Sequence, residues 1–372
     1  MRSGTLVALK KVLPKVEREG FPITAIREIK VLKRLDHENI IRLLDVVYEN
    51  CSAANSKLLV FMVFPFIKHD LVGVQHYRRN RLLVPEIKCI MLQLVRGLSY
   101  LHEHKVVHRD LKLANLLMDE SGVLKIADFG LARVQTDQRR VDQTNRVVTR
   151  WYRSPELLLG ETKYDTSVDM WSVGAIMGEL VTGTPIFPGE SEVHVLRYIF
   201  DTIGPPNEFV WPGFGRLPES AVVLAEVGSA RKCLEAYLRD STGVCRYESH
   251  HLLPVRMLVT DRHRNYSERE VFRFMFNGLS DHGVNVIGSM LRYNPVDRAR
   301  AADIALNAFF QESPAVCRPE EIVLCPDARR ELQVKENTFW KPMKSGQIPR
   351  RLSTATGYAI NTNVRLSRKR TK

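Results

Sequence analysis

The 372-residue sequence carries 55 Lys or Arg against 42 Asp or Glu, a formal net charge of +13, with 44% hydrophobic and 26% charged residues. These are globular proportions, and without a run of about 18 apolar residues no membrane-spanning helix is expected. The six cysteines, at 51, 89, 233, 245, 317 and 325, form no C-x-x-C pair, which argues against a zinc site or disulfide framework and points to a reducing compartment.

In chain order, the first signal is Val7-Ala8-Leu9-Lys10, an apolar strand ending in lysine. Only nine residues precede Lys10, with the single glycine Gly4 and no G-x-G; Arg2–Thr5 reads as a hairpin turn into the strand. Pro22 opens a helix in which Ile26, Ile29 and Leu32 recur at three-residue spacing on one face, with Glu28 available to pair with Lys10. Strands are expected near Arg42–Tyr48 and Lys57–Phe64. Pro85 to Glu103 predicts a long helix with Pro85 at its start and a core stripe of Ile87, Ile90, Met91, Leu94, Leu98 and Leu101.

His108-Arg109-Asp110-Leu111-Lys112-Leu113-Ala114-Asn115 comes next, and Asp128-Phe129-Gly130 follows thirteen residues after Asn115. These match H-R-D-L-x-x-x-N and D-F-G, and V-A-L-K and Ser154-Pro155-Glu156 stand where V-A-I-K and A-P-E occur in the same order. The residue types suit phosphoryl transfer, which is mostly positioning and charge neutralisation. Asp110 can accept the proton of an incoming hydroxyl, and Asn115 and Asp128 offer hard oxygen ligands for magnesium. Asp165 to Leu180 predicts a second buried helix. Between Phe214 and Gly283 the pattern fades, apart from a helix expected over Arg231–Asp240, and the segment reads as a surface insertion or as translated intron. No internal repeat is evident. From Lys341 to Lys372 there are nine Lys or Arg and no acidic residue, so the remaining 340 residues carry only +4. This tail reads as disordered. Its end, Arg368-Lys369-Arg370-Thr371-Lys372, is a basic run of the kind that serves nuclear import or RNA contact, or it is a merely solvated tail.

On these motifs, over Val7 to about Trp211 and about Val284 to Phe310, the chain resembles the cyclin-dependent serine/threonine protein kinases. Glu19–Glu28 and Thr144-Asn145-Arg146-Val147-Val148-Thr149 are similar to the transcriptional branch, which includes the kinase of positive transcription elongation factor b and the polymerase II carboxy-terminal-domain kinases. The resemblance implies an α+β, bilobal protein kinase fold. Residues 1–67 would be a partial small lobe with a cyclin-facing helix, its first strands and Gly-rich loop missing; a start drawn too late is favoured over a true short isoform. Residues 68–311 would be a helical large lobe with an insertion at about 215–282, and 312–372 an extension that is basic and disordered from about 341.

The resemblance also implies site residues. Asp110 would be the base, with Lys10, Lys112, Asn115 and Glu28 in the catalytic set. Asn115 and Asp128 would hold Mg2+. Ala8, Lys10, Phe64, Pro65, Ile67, Asp70, Lys112, Asn115, Leu117 and Asp128 would bind ATP, with Phe64 as gatekeeper, the backbone of Pro65 and Ile67 on adenine and Asp70 on ribose. Asp169 would brace the catalytic loop, and Arg298 would pair with Glu156. Thr144 would be the activating phosphosite, gripped by Arg27, Arg109 and Arg133. Val147, Val148 and Thr149 would receive a substrate with proline after the acceptor, and Thr149 would stay unmodified. Arg150 departs from relatives, which usually have an apolar residue there. The implied activity is proline-directed Ser/Thr phosphorylation with a cyclin partner, on the polymerase II carboxy-terminal repeat or elongation factors. A nuclear location follows, with a cytoplasmic pool allowed. A cell-cycle kinase, or a catalytically impaired cyclin-binding protein, remains the alternative.

Overall fold

The computed structural model describes residues 6–12, 22–50, 58–79, 82–135, 150–226, 268–325 and 358–359. The lysine strand β1 (Val7–Val12) pairs antiparallel with β3 (Leu58–Pro65), and β3 with β2 (Asp45–Asn50). The expected strand at Arg42 therefore begins three residues later. Leu44 already donates its N–H to the Val63 carbonyl, but a regular ladder starts only at Asp45.

The free edge of β1 is taken by β9 (Tyr358–Ala359), which pairs with Lys10 and Leu9 and gives the order β2-β3-β1-β9. This corrects the expectation of a wholly disordered tail at these two residues. An unpaired strand edge presents N–H and C=O groups that another segment can satisfy.

Helix α1 (Ile23–Leu32) buries Ala25, Glu28, Val31 and Leu32. Ile26 does not share that face: it is 38% exposed, as Ile23 is 65% exposed. Three-residue spacing drifts around a helix of 3.6 residues per turn, so Ile26 and Leu32 diverge, and Glu28 takes the inward position.

The helical lobe is built on α3 (Val84–Glu103) and α5 (Ser167–Thr182). The predicted α3 stripe is buried throughout. Glu86 accepts the N–H of Leu83 at 2.7 Å, satisfying an orphan donor at the helix start, and is itself gripped by both Nη atoms of Arg78. Helix α5 is buried on every side from Val168 to Leu180, as expected of a helix that is apolar all round. Between the lobes, α2 (Leu71–Tyr77) is capped by the side chain of Asp70. The short strands β4 (His69–Asp70), β6 (Leu116–Met118) and β7 (Leu124–Ile126) form one sheet, and β5 (Val106–Val107) pairs with β8 (Arg133–Val134).

The helices α4 (Pro155–Leu158), α6 (Glu192–Ile203), α7 (Glu268–Met275), α8 (Asp281–Met290) and α9 (Ala301–Ala305) complete the lobe. Helix α7 corrects the reading of 215–282 as a surface insertion over its described residues, 215–226 and 268–282. Phe272 and Phe276 are fully buried and, with Val223, belong to the main core. Val271, Phe272, Met275 and Phe276 carry the i, i+4 spacing that puts them on one face. The helix expected over Arg231–Asp240, the hairpin at Arg2–Thr5 and the basic end of the tail lie outside the described residues. Among the described residues, no helix is long and apolar enough to cross a membrane, and no cluster of His, Cys, Asp or Glu suits a metal held by protein alone.

Candidate active site

The site lies where β1, α1, the loop after β5 and the turn after β7 meet. Lys10 Nζ stands 2.8 Å from Glu28 Oε1 and 2.7 Å from Asp128 Oδ1, so one ammonium bridges two carboxylates from separate elements. Burial pushes the Glu28 carboxyl up, against the opposing pull of Lys10. Burial pushes Asp128 up as well, but the charge and hydrogen bond of Lys10 outweigh it and hold that carboxyl below its ordinary range. Asp128 has φ +61°, a left-handed conformation rare for a residue with a Cβ; such strain clusters at functional sites. Gly130 lies directly against the bridge: a Cβ there would be in ordinary contact with Asp128 Oδ1 at 3.4 Å and Glu28 Oε2 at 3.7 Å.

The catalytic-loop residues are held from below by Asp169 on α5. Its carboxylate is fully buried and accepts the backbone N–H of His108 at 2.8 Å and of Arg109 at 2.7 Å, with His102 Nε2 at 3.1 Å. Burial raises this carboxyl, but the hydrogen bonds from His102 and from the Arg109 N–H outweigh it and set it below the usual carboxylate range. Arg109 itself is held at φ +70°. The His108 ring is buried with Nε2 3.0 Å from the Ala127 carbonyl, and its Nδ1 faces the Asp110 N–H. Those partners require the neutral ring with the proton on Nε2.

Asp110 is thereby fixed at the mouth of the site. Lys112 Nζ lies 2.9 Å from its Oδ2, and Asn115 Nδ2 donates to the same oxygen at 3.0 Å and to the Asp110 carbonyl at 2.7 Å. The Ala127 N–H donates to the Asn115 carbonyl at 2.9 Å, which sets Asn115 beside Asp128. Magnesium is typically held by one or two side-chain oxygens plus phosphate and water. With Asn115 Nδ2 committed to Asp110, its Oδ1 and the second oxygen of Asp128 form a donor set that fits this ion.

The predicted adenine-side residues also assemble. Ala8 is the cross-strand partner of Phe64, and Asp70 of Leu117. Phe64 is buried, while Ala8, Ile67 and Leu117 are partly buried against the same core. Pro65 ends β3 at the crossing between lobes. Asp70 has a structural duty absent from the sequence reading: its Oδ1 accepts the Gly73 N–H at 2.8 Å and caps α2.

Of the regulatory residues, Thr144, and with it the substrate residues Val147, Val148 and Thr149, lie outside the described residues. Two of the three arginines border one turn, Phe129–Leu131, and the third lies on the helix packed against it. Helix α1, which carries Arg27, packs on it; Arg109 Nε donates to the Leu131 carbonyl at 2.7 Å; Arg133 follows two residues later. Arg109 Nη1 is also 2.5 Å from the Tyr164 hydroxyl, a partner that sequence reasoning missed.

The predicted Glu156–Arg298 pair is present as a buried two-pronged bridge at 2.5 and 2.6 Å. Two further groupings were not foreseen. The Tyr152 hydroxyl donates to Glu179 at 2.6 Å in the core, where burial pushes Glu179 up to about 7. Arg150 and Arg153 converge on Glu192. The departure of Arg150 from an apolar type was the only sequence signal for either.

A two-lobed fold with a lysine bridged to two carboxylates across from an Asp–Lys–Asn loop is the arrangement of the protein kinase fold. A model of the protein kinase domain matches residues 1–310, and the chain belongs to that family. Within it, the chain is 39% identical over 331 residues to cyclin-dependent kinase C-1 of Arabidopsis thaliana, covering 87% of this chain and 58% of that one. It is 47% identical over 230 residues to the probable cyclin-dependent kinase 9 of Schizosaccharomyces pombe, covering 58% and 39%. The chain thus spans about three fifths or less of these curated relatives. Among solved structures it is similar to a chain of the yeast RNA Pol II CTD kinase CTDK-1 complex, with TM-score 0.65 and 34% identity over 86% of this chain and 89% of that one.

Proposed function

We propose that this protein is a cyclin-dependent, proline-directed serine/threonine kinase of the transcriptional branch. It transfers the γ-phosphoryl group of ATP to Ser-Pro or Thr-Pro sites of the RNA polymerase II carboxy-terminal domain or of elongation factors. The observation that carries the reading is the pairing of Lys10 with both Glu28 and Asp128 beside an Asp110 held by Lys112 and Asn115, the contacts an active kinase must have in place. The relatives and the CTD-kinase structure support the choice of branch.

In this reading Lys10 holds the nucleotide phosphates, kept in place by Glu28. Asp110 aligns the acceptor hydroxyl and takes its proton as the oxygen attacks. Lys112, already on Asp110, donates to the transferring group. Mg2+, held by Asn115 and Asp128, supplies positive charge to the phosphates when bound. Ala8 and Leu117 flank adenine, the Pro65 carbonyl and Ile67 N–H read its edge, and Asp70 meets ribose. The exposed pair Ile23 and Ile26 on α1 gives a cyclin an apolar surface backing directly onto Glu28. Phosphate on Thr144 would draw Arg27, Arg109 and Arg133 together, since a dianion can engage several guanidinium groups. The basic tail would serve nuclear entry.

The test is Asp110→Asn in the full chain with its cyclin. Transfer to a Ser-Pro peptide should be abolished while ATP affinity stays within about twofold, because Asp110 faces the hydroxyl rather than the nucleotide. Retention of more than about a tenth of the rate would refute the assigned role.

A further inference from the structure

Away from the candidate site, the segment that follows α9 runs back across α3 as a strap. Lys88, fully buried on α3, donates from Nζ to the carbonyls of Glu312 at 2.9 Å and Pro314 at 2.8 Å and lies 4.6 Å from the centroid of the Phe309 ring. The strap then meets the turn between β6 and β7, where a Cβ on Gly122 would fall 1.9 Å from the Pro319 carbonyl oxygen. Ile322 and Cys325, further along, are buried.

The strap brings one cysteine onto another. The Cys317 N–H reaches the Pro85 carbonyl at 3.4 Å. Pro85 lies one helical turn before Cys89, and in α3 its carbonyl also takes the Cys89 N–H. A helical side chain leans towards the N-terminus and covers the turn before its own Cα, so the Cys89 side chain covers the turn on which Cys317 is docked. The two thiols share a hydrogen bond, with the Cys317 S–H donating and the Cys89 sulfur accepting. From the other side Gln93 Nε2 donates to Cys89 Sγ at 3.5 Å, and Gln93 is itself fixed by the Gly122 carbonyl at 3.1 Å. Cys89 is buried, Cys317 is half-buried, and both are free thiols. Burial pushes the Cys89 thiol up, while burial, the neighbouring Cys89 sulfur, Glu86 and Glu321 push Cys317 up to about 12; Glu320 and Arg96 act on Cys89 in opposite directions. The pair therefore stays protonated and reduced at neutral pH and reacts only through a small thiolate fraction.

We propose that Cys89 and Cys317 are an oxidation site at which a peroxide closes a disulfide and locks the strap to α3. The Cys317 thiolate attacks one peroxide oxygen: an S–O bond forms, the O–O bond breaks, and the departing hydroxide takes up the thiol proton as water. The Cys89 sulfur then attacks the Cys317 sulfenic acid. The S–S bond forms, the S–O bond breaks, and the hydroxide leaves with the Cys89 proton as a second water. The two thiols lose two electrons and the peroxide is reduced to two waters. The site uses none of the kinase residues and is independent of the kinase reading. The bridge closes a long loop, so it should stabilise the folded chain.

The test treats the full chain with millimolar hydrogen peroxide at about pH 9, blocks the remaining thiols with N-ethylmaleimide and digests without reductant for mass spectrometry. The expected product is a single chain carrying a linked Cys89–Cys317 peptide, two hydrogens lighter than its parts and released by dithiothreitol. Calorimetry of the oxidised chain should show Tm raised by at least about 3 °C. Cys317→Ser, a change at a half-buried side chain, should lose both the linked peptide and the rise. Recovery of both cysteines as maleimide adducts would overturn the proposal. So would Cys317 found as sulfinic or sulfonic acid beside a free Cys89, pairing of Cys317 with Cys325 or with a second chain, or a link that forms only in urea.

Discussion

Replacing Arg298 with methionine should destabilise the helical lobe severely. The Arg298 side chain is fully buried and its partner Glu156 is 3% exposed; they join through two parallel bonds of 2.5 and 2.6 Å. Arg298 also donates to the carbonyls of Arg292, Tyr293 and Ser167 and lies over the Trp171 ring with its guanidinium carbon 5.2 Å from the centroid. Methionine fills much of the volume but leaves a buried carboxylate without a counter-charge. Breaking one side of a buried pair costs about 3–5 kcal/mol. For a lobe of this size that corresponds to a fall in Tm of roughly 6–20 °C. Differential scanning calorimetry of Arg298→Met, Glu156→Met and the double variant gives the comparison. The double variant should be no less stable than Arg298→Met alone, since the stranded charge is gone. A fall below about 3 °C for the single variant, or additive losses in the double, would refute the argument.

Glu179 sets a pH dependence. Its folded value of about 7 lies above its ordinary 4.5, so the native state binds the extra proton between the two. Stability from this group is full below about 4.5 and declines as pH rises towards and through 7; urea titrations should show Glu179→Gln with a flatter profile over that window. Asp169→Asn leaves the His108 and Arg109 N–H groups only a neutral acceptor, and kcat on a Ser-Pro peptide should fall at least about tenfold with KM little changed. Lys10→Met removes the bridge between Glu28 and Asp128, and calorimetric titration should show weaker ATP binding together with lost turnover. Thr144→Ala should lower activity of the cyclin complex at least about tenfold, and mass spectrometry of the active complex should find phosphate on Thr144 and not on Thr149.

What the sequence by itself determined were the features written in contiguous or regularly spaced residues. His108–Asn115 and Asp128–Gly130 set the loop and the turn that form the candidate site. The apolar stripe of α3 set the long core helix that precedes them, because a 3.6-residue period is visible in the chain. The pairings Lys10–Glu28 and Arg298–Glu156, 18 and 142 residues apart, were legible only through the order of known motifs. Tertiary structure alone decided the rest. Ile26 turned outward because the packing of α1 chose the face carrying Ala25 and Glu28. Asp70 became a helix cap and Arg109 a partner of Tyr164. Phe272 and Phe276 entered the core from a stretch without a legible motif. Arg150, Arg153 and Glu192 met because the turn before α4 is pinned to the loop that opens α6. Such contacts depend on which distant surfaces share one core, and neither local propensity nor spacing along the chain carries that information.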